Sequence, residues 1–141
     1  MPIYKEPLSE DLVESLLDRY YRPFHQKLQD LSNGVKLGID CHTMADKGPP
    51  VGPDPGKERP LVCISNADGT CPMEWIRHLA ALFEPAFQTR VSINKPFKGG
   101  YIIRSHSKEI PWMQLELSRT PSISNQEKRQ RVIQVLKYWC S

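Results

Sequence analysis

Two residues that could do metal or acid–base chemistry follow short apolar runs: His42 in Val35-Lys-Leu-Gly-Ile-Asp40-Cys-His42, and Glu116 in Trp112-Met-Gln-Leu-Glu116-Leu117. If the two runs are neighbouring strands of one sheet, their ends bring an imidazole and a carboxylate to the same rim. A histidine just past a strand end can ligate zinc through one ring nitrogen while a carboxylate orients the other, and Asp40 shares the His42 face if the strand continues. A carboxylate beside a metal-bound water can accept its proton and deliver it to a leaving amine, so the pair suits metal-assisted hydrolysis. The plainer readings are a hydrogen-bonded histidine without metal and, for Glu116, a surface ion pair with Arg119. Period-2 alternation sets Glu116 on the face opposite Leu115 and Leu117.

A second cluster suits binding. Gly99-Gly100, ahead of Tyr101 and Arg104, lets the backbone approach a ligand closely, and a guanidinium can hold a substrate carboxylate with two parallel hydrogen bonds. Arg104 is the expected anion anchor, and His106 is a lesser candidate for substrate contact or proton transfer. The alternative is a glycine turn leading into an edge strand with a solvated arginine.

These side chains need a scaffold, and the chain alternates between helical and strand periods. Ser9 is the expected N-cap of a helix bearing Leu12, Val13, Leu16, Leu17, Tyr20, Phe24, Leu28 and Leu31, which Pro23 should kink or split and Asn33-Gly34 should end. Short strands are expected over 35–41, 61–65, 90–94 and 112–117, with 101–104 read as the edge strand of that alternative. Pro72 opens an amphipathic helix through Met73, Ile76, Leu79, Ala80, Phe83 and Phe87, with Asn66-Ala-Asp68-Gly-Thr as the turn before it. Ser124-Asn-Gln-Glu127 fits a capping box ahead of a last helix with Val132, Val135, Leu136 and Trp139 on one face. The implied fold is α/β: a mostly parallel or mixed sheet of four or five strands with flanking helices, and sites gathered beyond the carboxyl ends of the strands.

At 141 residues the chain reads as one domain, 1–141. Five of its 13 prolines lie between Pro49 and Pro60, so residues 43–60 read as a Pro/Gly-rich loop beside the site, either a lid or binding loop or a disordered linker. A net charge of +3 is too small to imply a polyanion partner, and Lys128, Arg129, Arg131 and Lys137 read as a solvated helix face rather than a nucleic-acid surface. Cys41, Cys63, Cys71 and Cys140 form no C-x-x-C pair and read as reduced thiols. No apolar run approaches ~20 residues and no export pattern opens the chain, so no membrane association and a cytoplasmic location are expected.

In order along the chain, Tyr20-Tyr-Arg-Pro-Phe-His25, Ile39-Asp-Cys-His-Thr-Met44, Asn66-Ala-Asp-Gly-Thr-Cys71, Asn94-Lys-Pro-Phe-Lys-Gly-Gly-Tyr101 and Gln114-Leu-Glu-Leu-Ser-Arg119 resemble the N-formylglutamate amidohydrolase family. The resemblance implies a zinc-carboxypeptidase-like α/β fold and hydrolysis of N-formyl-L-glutamate to formate and L-glutamate, a reaction of histidine catabolism. By carry-over His42 looks like a zinc ligand and Glu116 like the carboxylate that activates the attacking water. Arg104, Gly99, Gly100, Tyr101 and Asn94 look like substrate-binding positions, with Asp40, His106, Asp68 and Arg119 in lesser roles. It also implies an upstream segment with a further zinc-binding histidine and an acidic ligand, which no motif of this chain matches. Self-association, or a polypeptide completing the sheet, is the corresponding expectation. A reading from a different class is a metal-free binding or interaction module that keeps a carboxylate pocket through Arg104 and Gly99-Gly100.

Overall fold

The computed structural model describes residues 6–141, which divide into two compact units, one ending at Val35 and the other running from Lys36 to Ser141. In the first, Ser9 caps helix α1 (Glu10–Leu16) by accepting a hydrogen bond from the Leu12 N–H at 3.3 Å. The chain passes through a π-helical turn (Leu17–Tyr21) into α2 (Arg22–Ser32), with Pro23 in the first turn of α2. The expected split at Pro23 therefore takes the form of a widened turn, placed where the proline cannot donate to the preceding carbonyl. Arg22 spans the turn, pairing with Glu14 at 2.7 Å and with Asp18. Leu12, Val13, Leu16, Tyr20, Phe24 and Leu31, the apolar stripe of this region, all stay exposed.

The second unit is built on a four-stranded mixed sheet: β1 (Gly38–Met44), β2 (Val62–Ser65), β3 (Ser92–Ile93) and β4 (Trp112–Ser118), in the order β1-β4-β2-β3. β1 runs parallel to β4, β2 antiparallel to β4, and β3 parallel to β2. One face is apolar. Val62, Ile64, Met113 and Leu115 pack into a core with Ile76, Leu79, Phe83 and Phe87 of α3 (Met73–Phe87) and Val135 of α5 (Asn125–Cys140). Burying each such side chain contributes about 1.5–3 kcal/mol, so this face anchors the sheet and leaves its opposite face free for polar groups.

Three local readings change. Residues 101–104 are not a strand: they open helix α4 (Tyr101–His106), in which Ile103 and His106 are buried and Tyr101 and Arg104 exposed. That i, i+3 spacing is helical, and a four-residue window is too short to separate it from alternation. β1 begins at Gly38 rather than Val35 and continues through His42 to Met44, because β4 offers a pairing partner for each residue as far as Ser118. Gly38 is required there, since a Cβ would lie 2.3 Å from the Trp112 indole that crosses it. The segment read as a capping box is half formed: Ser124 Oγ accepts from the Glu127 N–H at 3.2 Å, while the Glu127 carboxylate turns instead to Arg131.

The basic residues of α5 are also not all solvated. Lys128 is 5% exposed and donates to the Thr120 carbonyl at 3.0 Å. Arg131 donates to the Ala86 carbonyl at 2.9 Å and lies over the Phe87 ring, so a cation meets the negative, C-terminal end of α3. Arg129 and Lys137 remain exposed.

The Pro/Gly-rich loop expected over 43–60 starts at 45, because β1 runs to Met44, and this 45–60 loop folds on itself rather than behaving as a disordered linker. Lys47 and Glu58 bridge, the Gly48 N–H donates to the Lys57 carbonyl at 2.9 Å, and the Arg59 N–H donates to the Asp46 carbonyl at 2.8 Å. Arg59 holds Asp54 through two 2.8 Å hydrogen bonds and stacks 4.9 Å over the Phe97 ring. Among the described residues no helix is long and apolar enough to cross a membrane.

Candidate active site

The strand register decides the arrangement. His42 on β1 lies directly opposite Glu116 on β4, and Asp40 opposite Gln114. Neighbouring parallel strands lie about 4.8 Å apart and directly paired residues point to the same face, so the imidazole and the carboxylate share the face away from the α3 core. Each stands two residues before its strand's last residue, Met44 and Ser118, and the parallel pairing brings both to the carboxyl-end rim. Both lie within their strands, so His42 is not beyond the strand end.

Their surroundings differ because their strands differ. β4 is central, and Glu116 is 6% exposed; β1 is the sheet edge, and the His42 side chain is 48% exposed. The acid is shielded while the imidazole stays open to a ligand. Asp40 Oδ1 lies 2.9 Å from His42 Nε2. A proton on Nε2 directed at Asp40 leaves the lone pair on Nδ1, the arrangement in which a carboxylate fixes the tautomer of a metal-binding histidine.

Glu116 does not pair with Arg119, which is exposed and whose backbone N–H donates to the Met44 carbonyl at 2.8 Å. Its hydrogen-bond partner is Gln114, whose Nε2 donates to Glu116 Oε1 at 2.8 Å. The field of Glu116 also reaches the 45–60 loop. Asp54 holds the Arg59 guanidinium above its usual pKa, and the charge of Glu116 adds in the same direction. Beside Glu116, at the paired position on β2, burial pushes the Cys63 thiol up, and Glu116 adds to that shift.

The binding cluster is tied to the same network. Gly100 caps the start of α4 and its N–H donates to Gln114 Oε1 at 2.7 Å, while Arg104 donates to the Gly99 carbonyl at 3.2 Å. Arg104 and Tyr101 are exposed. Gly99 has φ +112°, and a Cβ there would lie 2.4 Å from Ile103 Cδ1, so its freedom is consumed by the fold of the α4 entry.

Asn94, at φ +56°, is engaged with Asn66: its Oδ1 accepts from the Asn66 N–H at 3.0 Å and its Nδ2 donates to Asn66 Oδ1 at 2.9 Å. Asp68, in the turn after β2, lies 3.4 Å from Asn94 Nδ2. The structure thus joins Asn94 and Asp68 to each other rather than to Glu116. His106 is set apart: it is 2% exposed, with Nδ1 2.8 Å from Glu109 Oε2 and its ring 5.9 Å from that of Trp112, at the opposite end of β4 from Glu116.

Gln114 and Arg59 are the residues that sequence reasoning passed over. A glutamine two positions before Glu116 in an otherwise apolar strand was the available signal for the first. For Arg59, deep in an aperiodic loop, there was none.

A catalytic zinc takes three protein ligands and an open position. Among the described residues no group of three His, Cys, Asp or Glu side chains gathers in a metal-holding arrangement. His42 with Asp40 furnishes one ligand and its orienting carboxylate, so the described residues alone do not fit a complete zinc centre.

The site is thus a histidine–carboxylate pair at the rim of a mixed α/β sheet. The family model for N-formylglutamate amidohydrolase matches residues 1–121. The chain belongs to the N-formylglutamate amidohydrolase family. Its fold is similar to that of the crystal structure of N-formylglutamate amidohydrolase from Ralstonia eutropha JMP134, with a TM-score of 0.69 and 19% sequence identity. The likeness covers 99% of this chain and 57% of that one, so the chain spans little more than half the length of this relative. Sequence comparison with curated proteins gives no match.

Proposed function

We propose that this chain carries the carboxylate and substrate-binding part of a site that hydrolyses the formamide bond of N-formyl-L-glutamate. The observation that carries the reading is the register pairing of His42 with Glu116 on one sheet face. Glu116 takes a proton from the attacking water as its oxygen bonds to the formyl carbon. It then delivers that proton to the amide nitrogen as the C–N bond breaks, releasing formate and the amine of glutamate. Arg104 holds a substrate carboxylate: its side chain is exposed on α4, and the guanidinium keeps donors beyond the one spent on the Gly99 carbonyl. His42 is one zinc ligand, and the remaining ligands belong to the part of the family fold that this chain does not span.

The alternative is a metal-free module that binds a carboxylate through Arg104 without turnover, favoured by the lack of three gathered ligands among the described residues. The two readings part on formate release from N-formyl-L-glutamate and from N-formyl-L-leucine, measured with zinc and the remaining part of the family fold supplied. The hydrolase reading expects release from the first at least tenfold faster than from the second. Binding of N-formyl-L-glutamate with no release from either would establish the module instead.

A further inference from the structure

We infer that Gln114 is a positioning residue that fixes the Glu116 carboxylate against the α4 entry and selects which of its oxygens acts as the base; the catalytic part of this inference rests on the function proposed above. Gln114 and Glu116 are each 6% exposed, and i, i+2 spacing on β4 puts them side by side on one face. The Gln114 amide is engaged at both ends: Oε1 accepts from the Gly100 N–H at 2.7 Å, and Nε2 donates to Glu116 Oε1 at 2.8 Å. Only one orientation of the amide satisfies both contacts. Flipping it would set an NH2 against an N–H and an oxygen against a carboxylate. The anchor is backbone, and Arg104 holds the same turn through the Gly99 carbonyl at 3.2 Å.

Glu116 Oε2 takes no hydrogen bond from the described residues. The pinned oxygen is therefore Oε1, and Oε2 is left to receive the proton. A glutamate has three side-chain torsions, and misplacing a reacting group by about 1 Å can cost on the order of 100-fold in rate. Removing the pin should then lower turnover while leaving substrate binding, which falls to Arg104, nearly unchanged. A merely structural glutamine would not divide kcat from KM in this way.

The test is Gln114→Met, which keeps the shape and removes both hydrogen bonds, read by a crystal structure and by formate release from N-formyl-L-glutamate with zinc and the remaining part of the family fold supplied. The expected result is a rotated Glu116 carboxylate, a kcat lower by about 10- to 100-fold and a KM within about threefold of wild type. An unmoved Glu116 in the crystal structure overturns the inference, as does an unchanged kcat in an active protein. If wild type releases no formate, the proposed function fails, and the crystal structure still decides the role of Gln114. Should Gln114→Met not fold, Gln114→Asn, one carbon too short to reach both partners, is read in the same two ways.

Discussion

Substituting Gly99 by alanine separates a glycine kept for the fold from one kept for a ligand. At φ +112° an L side chain is strained by about 1–3 kcal/mol. The new Cβ would stand 2.4 Å from Ile103 Cδ1 and 3.2 Å from the Ala67 nitrogen. Ile103 is fully buried and cannot swing away, so overpacking adds about another 1–3 kcal/mol. The sum, about 2–6 kcal/mol, is a large part of the ~5–15 kcal/mol that holds a domain folded. For a chain of this size each kcal/mol is worth about 3 °C, so Gly99→Ala should melt roughly 6–18 °C below wild type.

Gly100→Ala is the control. Its backbone, φ −92° and ψ −167°, suits any residue, and its Cβ would meet only Gln114 Oε1 at 3.2 Å. Its melting point should stay within about 3 °C of wild type, since reduced freedom of the unfolded chain offsets the tight contact. Thermal unfolding followed by circular dichroism reads both. A Gly99→Ala protein that melts within 2 °C of wild type, or a Gly100→Ala protein that falls as far, would refute the reasoning.

Other expectations are equally direct. Cys41 and Cys140 are exposed and should be alkylated in the native protein, whereas Cys63 and Cys71, buried, with burial pushing the Cys71 thiol to about 11, should label only on unfolding; mass spectrometry showing four equal rates would contradict this. Asp54 is held below its usual pKa by Arg59, so its contribution is complete above about pH 4, the unfolded carboxylate value, and is lost as pH falls through the lower folded value. Limited proteolysis should then find the 45–60 loop protected at pH 5–7 and opened in stronger acid, and Arg59→Met should open it at pH 7; a loop equally resistant in that variant would count against the latch. Arg131→Ala loses the bond to the Ala86 carbonyl and the Phe87 contact and should cost about 1–2 kcal/mol in denaturant unfolding, with no change expected if the side chain is merely solvated.

The chemistry-bearing residues were legible because strands impose a strict two-residue period. Alternation in Gln114-Leu-Glu116-Leu sets Glu116 apart from its apolar neighbours, and the apolar run before His42 marks a strand whatever its partner. What the alternation could not give was the partner: only the parallel register of β1 on β4 makes Asp40–Gln114 and His42–Glu116 facing pairs. The four residues Tyr101–Arg104 carry too little periodicity to tell helix from strand. Gly100 then caps a helix whose reality rests on burial of Ile103 and His106. Asp54, Arg59 and Phe97 come together across an aperiodic loop, and Lys128 and Arg131 turn inward against carbonyls that no local pattern announces. Such contacts arise from tertiary packing, where a long cationic side chain can lay its stem on apolar surface and spend its donors on backbone.

The most direct test of the central claim is the rate of formate release from N-formyl-L-glutamate by Glu116→Gln against wild type, both with zinc and the remaining part of the family fold supplied and both shown to be folded. The substitution preserves size and removes the base, so the rate should fall by about 100-fold or more. A variant that keeps a third or more of the wild-type rate would show that the carboxylate opposite His42 is not the group that moves the proton.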